Sequence, residues 1–554
     1  MRRHSAIAAT VLLATVSAFA APGQAGAQVV SEPEQVLAPA SAANGFAGWA
    51  LAIEGDLLLV GAPGRRNGDS GTLYAYVREG GLFTLEQTIS NPDVVSPTGD
   101  NFGWSVAIHT STGGVTNAVV GAPGEGDITN PGAVYLLTYT ASAAMGSRWA
   151  APVRLAAPSP PLPALLGTSV AIDEGAIVAG APDSGTSATI GGVVVWSRAD
   201  LSSRVLVRAA AAGSDDRFGT SVAVRGDTLV VGAPGYDVMA EDAGAVFTLR
   251  RMRASWEAGP ALLPPATAMA QLGTSVALSD DQTIVVAGAP EADPRGRSNA
   301  GAVYEFRRLS AVGVFGAATE IAPTDGAPSD NFGTWVALAG ARLVVGAPNR
   351  DETPPATMNT GSAYLYERRS TSFVAVARYR GAADTAALGD ELGQAVAIAG
   401  TTVVAGAPGV GMDVGAVMVY PVPFANGTDC ALDGRCESGF CVDGVCCATA
   451  CDGACEACGA GGACGAADES MACTASCGAA GVCSAGACSA DCPDSGGIDP
   501  DSGTGIDGST GMDGGARPIV QISGCACGVG RGQPVGAVFA VVAVLAALAL
   551  RRRR

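Results

Sequence analysis

One phrase recurs seven times along the chain, and it constrains the fold more than any local propensity does. Its clearest form is "FGTSVAVRGDTLVVGAPG" (218–235), with relatives such as "AGWALAIEGDLLLVGAPG" (47–64), "LGTSVAIDEGAIVAGAPD" (166–183) and "LGQAVAIAGTTVVAGAPG" (392–409). The first glycine of each copy stands at 48, 103, 167, 219, 273, 333 and 393, a spacing of 52 to 64 residues. A period of that kind marks units that cannot bury their apolar faces alone and must pack against their neighbours.

Each copy has the same grammar. An apolar stretch such as "SVAV" predicts one strand. A short polar turn and a second stretch such as "TLVVGAP" predict another, ended by a proline that has no N–H for a ladder. A third strand follows a variable loop ("GAVFTL", "GAVYEF", "GSAYLY"), and a weaker fourth leads into the next copy. The near-continuous apolar runs suit strands buried on both faces. Four strands per repeat predict the blade of a β-propeller, whose radial repetition leaves only short protected edges. The expected fold class is all-β: a seven-bladed β-propeller of four-stranded blades, then a small disulfide-rich module, a flexible stalk and a C-terminal transmembrane helix. The seventh repeat lacks a fourth strand, whereas "EQVLAPASAANGFAG" (34–48) resembles one, so residues around Gln35 to Leu37 are expected to complete the last blade. The tripeptide Arg225-Gly226-Asp227, a known adhesion signal, occupies the first turn of repeat four. Other copies place Glu54-Gly55-Asp56 or Ala339-Gly340-Ala341 there, so it reads as turn chemistry rather than a ligand.

Composition narrows the function. Glycine is abundant at 77 residues and charged residues make up only 15%. The formal net charge of −19 argues against a nucleic-acid partner, because phosphate binding needs a basic face. All 32 basic residues are arginine, and the only histidines are His4 and His109. That leaves few general bases and no Schiff-base lysine. There is no G-x-S-x-G elbow and no zinc signature, and His109 reads as a surface turn residue.

The order phenylalanine or leucine-glycine, "VA", "GAP" and glycine-small-apolar-aromatic resembles the FG-GAP repeat of integrin alpha-chain propellers and bacterial surface proteins. The resemblance covers all seven repeats. It implies the propeller strongly and the function weakly, since one fold hosts many functions. Calcium-binding FG-GAP repeats carry an acidic "DxDxDG"-type loop between the first two strands. Here that connection is "IEGD", "IDEG", "VRGD", "LAGA" or "IAGT", none of which supplies the oxygen ligands calcium needs. No metal site, catalytic residue or cofactor is therefore assigned. The competing metal reading is the later loop of repeat four, with Asp237, Glu241 and Asp242; a solvated surface is the simpler account.

The ends and the cysteines divide the chain further. Residues 1–27 carry Arg2 and Arg3, an apolar run and Ala25-Gly26-Ala27, which read as a secretory signal whose cleavage signature has Ala25 and Ala27 as its small residues. The propeller is assigned to 28–425. Residues 426–492 hold Cys430, Cys436, Cys441, Cys446, Cys447, Cys451, Cys455, Cys458, Cys464, Cys473, Cys477, Cys483, Cys488 and Cys492. With so few apolar residues and an exported context, these predict disulfide staples of unknown connectivity. Zinc at Cys455 and Cys458 is the competing reading. Residues 493–521 read as a flexible acidic Gly/Ser stalk. Residues 522–554 contain Cys525, Cys527, an apolar run (535–550) and four arginines. The run is just long enough to span a bilayer. The cysteine module is similar to one in myxobacterial surface proteins, and the tail resembles the MYXO-CTERM sorting signal. That resemblance implies cleavage by a sorting protease near Cys525 or Cys527 and lipid-anchored display on the outer surface; a permanent single span is the alternative.

Together these features predict a non-enzymatic cell-surface binding or adhesion protein. Its propeller face would contact an unknown protein or polysaccharide, with the membrane reached through the C-terminal helix or a lipid. The competing readings are a structural envelope component and a propeller hydrolase or lyase.

Overall fold

The computed structural model describes residues 29–425 apart from short loop stretches, together with short segments between 428 and 489. Seven antiparallel sheets follow one another in chain order, and each contributes four strands running from an inner to an outer edge. In blade four these are Ser221–Arg225, Thr228–Ala233, Ala245–Met252 and Ser255–Leu262. Each inner strand packs on the inner strand of the next blade, and the seventh packs on the first, so the ring closes. The fold is the all-β seven-bladed propeller that the repeat predicts, with almost no helix.

Burial explains the strand sequences. Every residue of the second strand of blade four is buried, as an unbroken apolar run requires. The outer strand of the same blade is mostly exposed, which is why its sequence signal is weak. All seven second strands end at the alanine of "GAP" (Ala62, Ala122, Ala181, Ala233, Ala289, Ala347 and Ala407), with the proline just beyond the ladder.

The blades are joined by a glycine contact repeated around the ring. The GAP glycine of each blade (61, 121, 180, 232, 288, 346, 406) faces the carbonyl oxygen of the FG glycine of the following blade (103, 167, 219, 273, 333, 393, 48). A Cβ at any of these GAP positions would overlap that oxygen. The FG glycines have φ between +91° and +103°, a backbone that only glycine adopts freely. Each donates its N–H to the GAP glycine carbonyl of its own blade at 2.9–3.1 Å. In blades two to five a serine adds a further tie. Ser105, Ser169, Ser221 and Ser275 donate to the FG glycine carbonyl of the next blade at 2.7–2.9 Å. Immediately before the FG pair, seven non-glycine residues (Phe46, Asn101, Leu165, Arg217, Gln271, Asn331, Glu391) also have positive φ. Packing on both sides holds this strained corner in place.

On the opposite face, arginines at the end of the third strand reach back to the preceding blade. Arg78 donates to Thr402 Oγ1 of blade seven at 2.7 Å, Arg198 to Asn117 Oδ1 of blade two at 2.8 Å, and Arg308 to Thr228 Oγ1 of blade four at 2.9 Å.

The leading segment serves two blades. Gln35–Leu37 pairs antiparallel with Val417–Val419 and gives blade seven its fourth strand. The Gln35 side chain then clamps the outer strand of blade one: Nε2 donates to the Phe83 carbonyl at 2.7 Å, and Oε1 accepts the Phe83 N–H at 2.9 Å. Val29–Ser31 pairs parallel with Ala377–Tyr379, so blade six has five strands rather than four. The repeat pattern could not show this extra strand, because it belongs to no repeat.

Beyond the propeller, short two- and three-stranded ladders carry Cys441, Cys446, Cys458, Cys464, Cys473, Cys483 and Cys488. Cys436 and Cys446 form a disulfide with Cα atoms 5.3 Å apart, and Cys447 and Cys464 each take part in a further disulfide. Cys430, Cys451, Cys455, Cys477 and Cys492 lie outside the described residues, as do the signal segment, the stalk and the tail with Cys525 and Cys527. Among the described residues no helix is long and apolar enough to cross a membrane.

Two stability measurements check this architecture. Gly232→Ala drives a methyl into the backbone of blade five and is expected to cost ~3 kcal/mol or more in denaturant unfolding. Gly80→Ala, at a turn where a Cβ meets nothing within 4 Å, is expected to cost only about 1–2 kcal/mol for its positive φ. Deleting residues 28–44 strips an outer strand from blade seven and the fifth strand from blade six, so the melting temperature should fall. An unchanged midpoint would show that the ring does not depend on this segment.

Candidate functional site

The inner strands surround a central channel of about 450 Å3. The "VA" alanines (Ala52, Ala107, Ala171, Ala223, Ala277, Ala337 and Ala397) all line it, one from each blade. A small side chain at this level lets seven strands converge on one axis. The remaining wall is Val, Ile and Leu, with Arg225 as the one ionisable residue among those lining it.

Polar and aromatic groups gather at the end nearest the FG glycines. The position after the FG glycine is Thr168, Thr220, Thr274 and Thr334 in blades three to six, and Gln394 in blade seven. Each threonine hydroxyl donates to the carbonyl three residues back at 2.8–2.9 Å, tightening the corner. In blades one and two the position is tryptophan instead. Trp49 and Trp104 sit with ring centroids 5.0 Å apart at 51°. In blade six a third tryptophan, Trp335, takes the next position, which is serine in blades two to five. All three indoles are half-buried and line the channel. They are departures from the repeat consensus, and an alignment of the seven copies against one another would have picked them out.

Of the residues singled out in the sequence, Arg225 reaches the channel wall and the others lie outside it. On the turn face, Arg225 Nε pairs with Asp280 of blade five at 3.2 Å and Asp227 with Arg251 Nε at 3.0 Å, so both charged ends of the tripeptide are engaged within the protein. His109 is half-buried on the inner strand of blade two, its Nε2 3.4 Å from Glu174 of blade three. Hydrogen bonds from the Thr112 N–H and hydroxyl, then from His109, hold the Glu174 carboxyl below its usual range. Glu54 accepts the Thr110 N–H at 2.7 Å. The acids of the "IEGD" and "IDEG" turns thus stitch neighbouring blades together. In the repeat-four loop, Asp237 accepts the Asp242 N–H at 2.7 Å and Asp242 lies 3.7 Å from Arg217. Among the described residues no three His, Cys, Asp or Glu gather as a metal site.

The family described as FG-GAP repeat matches residues 83–137, 207–249 and 315–366. The chain carries FG-GAP repeats. Each matched stretch includes part of the outer strand of one blade or of the approach to it, and runs through the third strand of the next, so FG-GAP units are offset from blades. That offset is why the N-terminal segment must return to close the ring. No curated protein matches the chain. Among solved structures, the chain is similar to the periplasmic gluconolactonase of Pseudomonas aeruginosa, at 14% identity and TM-score 0.39, covering 60% of this chain and 85% of that one. It is also similar to a chain of the mitotic checkpoint complex, at 11% identity and TM-score 0.41, covering 75% of this chain and 99% of that one. Likeness at this level carries no argument about activity.

Several carboxyls between the blades are buried. Burial raises Glu86, Asp100, Glu125, Asp216 and Asp330 above their ordinary values, against the pull of Arg148 on Glu86, of the Tyr135 hydroxyl on Glu125 and of Arg350 on Asp330. A raised carboxyl binds its proton more tightly in the folded state. Its stabilising effect is therefore present below the unfolded value and lost as pH rises through the folded one. Relief of charge repulsion in an acidic chain acts in the same direction. The melting temperature is expected to be higher near pH 5 than near pH 8, as scanning calorimetry across that range would show.

Proposed function

We propose that this is a non-enzymatic recognition protein of the cell surface, whose propeller binds a polysaccharide, or failing that a protein segment, at the FG-side mouth of the central channel. The observation that carries the reading is the trio of Trp49, Trp104 and Trp335 at positions where the other repeats have Thr, Ser, Ala or Gln. A concave, mostly apolar site with flat aromatic faces and a few convergent polar groups is what a ligand pocket requires. Indole faces offer apolar area to the C–H face of a sugar ring, and the indole N–H, the threonine oxygens and the Gln394 amide offer hydrogen-bond partners.

The hydroxyls of the channel wall favour binding over catalysis, because the serines of blades two to five donate to the next blade and the threonines of blades three to six donate within their own corners. Export through the 1–27 signal, a disulfide-rich neck, a flexible stalk and processing of the tail at Cys525 or Cys527 complete the proposal. They would hold the propeller mouth clear of the surface.

A glycan array probed with the intact protein tests this. A reproducible saccharide hit should weaken about ten-fold or more in Trp104→Ala and in Trp335→Ala at unchanged melting temperature. Absence of any hit, or a hit indifferent to both substitutions, would remove the channel mouth as the site.

A further inference from the structure

A second concavity lies on the flank of the ring between blades four and five, away from the channel. It consists of two cavities, of about 280 Å3 and about 170 Å3, which share Thr248 and Phe315 in their walls. The larger holds Arg250, Arg308 and one acid, Glu257; the smaller is lined by Leu262, Leu263, Phe306 and Ala318 among others. A β-bulge opens this flank. The register of the third and outer strands of blade four slips between Phe247 and Leu249, so Thr248 pairs with Val230 on the second strand but with no residue of the outer one. Bulges of this kind often sit beside functional sites.

Two guanidiniums share the wall of the larger cavity. Neither forms an ion pair among the described residues, although the protein carries 51 acidic side chains against 32 basic ones. Arg250 stands on the third strand of blade four, directly across from Glu257, yet no bond joins the two. Arg308 spends one Nη2 donor on Thr228 and lies 5.3 Å from the centroid of Phe315, but its Nε is buried with no acceptor. Burial, and then the positive charge of Arg250, disfavour the charged form of Arg308, partly offset by Asp281. A buried donor without an acceptor beside a second guanidinium leaves two cations against the single carboxylate of Glu257 on this wall, which favours an anion that bridges them. The adjoining apolar cavity sets what that anion is attached to.

We propose that the flank between blades four and five binds a carboxylate carried on a short apolar chain. The carboxylate sits between Arg250 and Arg308, and the chain lies against Phe315 and Leu262. Arg308 also ties blade five to blade four, so the ligand would join the same two blades.

Calorimetric titration of the intact protein with octanoate tests this, with octan-1-ol as the uncharged probe. Octanoate should bind saturably and octan-1-ol far more weakly. Arg250→Gln, at an exposed position outside the interblade contacts, should weaken octanoate about ten-fold or more with an unchanged melting temperature. Arg204→Gln, at a half-buried arginine of blade three, should leave binding as it was. No saturable heat with octanoate, equal binding of octan-1-ol, or an Arg250→Gln variant that binds as tightly as the parent would each overturn the proposal.

Discussion

The ring rests on backbone meeting backbone. At each of seven junctions a glycine in the middle of one blade lies against the carbonyl of a glycine at the start of the next, with no room for a Cβ between them. Side chains in a core can be exchanged for others of similar volume, but a backbone contact admits no substitute. This single repeated approach sets how closely the blades pack, and through that the width of the channel and the size of the residues allowed around it. The alanines of "VA" and the glycines of "FG" and "GAP" are consequences of the same geometry.

Much of the polar chemistry that looks functional in the sequence turns out to be joinery. Arg225 and Asp227 pair with Asp280 and Arg251, Glu54 and Glu174 hold the long turn of blade two, and Ser221 binds the carbonyl of Gly273. Blades in a propeller share few side-chain contacts outside their apolar faces, so their rims are fastened by such bonds. The departures from the repeat pattern are more informative: three indoles around the channel mouth, and two arginines facing one cavity on the flank.

The fold was legible because the period repeats seven times and each repeat states its turns with glycine and proline. The channel mouth was legible in principle, since Trp49, Trp104 and Trp335 stand where other copies have Thr or Ser. Reading for what the copies share conceals such differences. The flank site was not legible at all. Arg250 and Arg308 are 58 positions apart and belong to different repeats. Nothing in either repeat says that a bulge at Thr248 opens the space between them.

The chain by itself determined the number of blades, the strands within each, the glycines at the junctions and the fragment from Gln35 to Leu37 that completes the seventh blade. These follow from local rules of turn chemistry, ladder pairing and apolar period, applied over and over. Only the tertiary structure decided that Val29–Ser31 adds a fifth strand to blade six, that residues such as Asn101 and Glu391 adopt left-handed backbone, and that particular arginines end with or without a partner. Those outcomes depend on which atoms meet when the ring closes, and contacts between residues far apart in sequence exist only once it has closed.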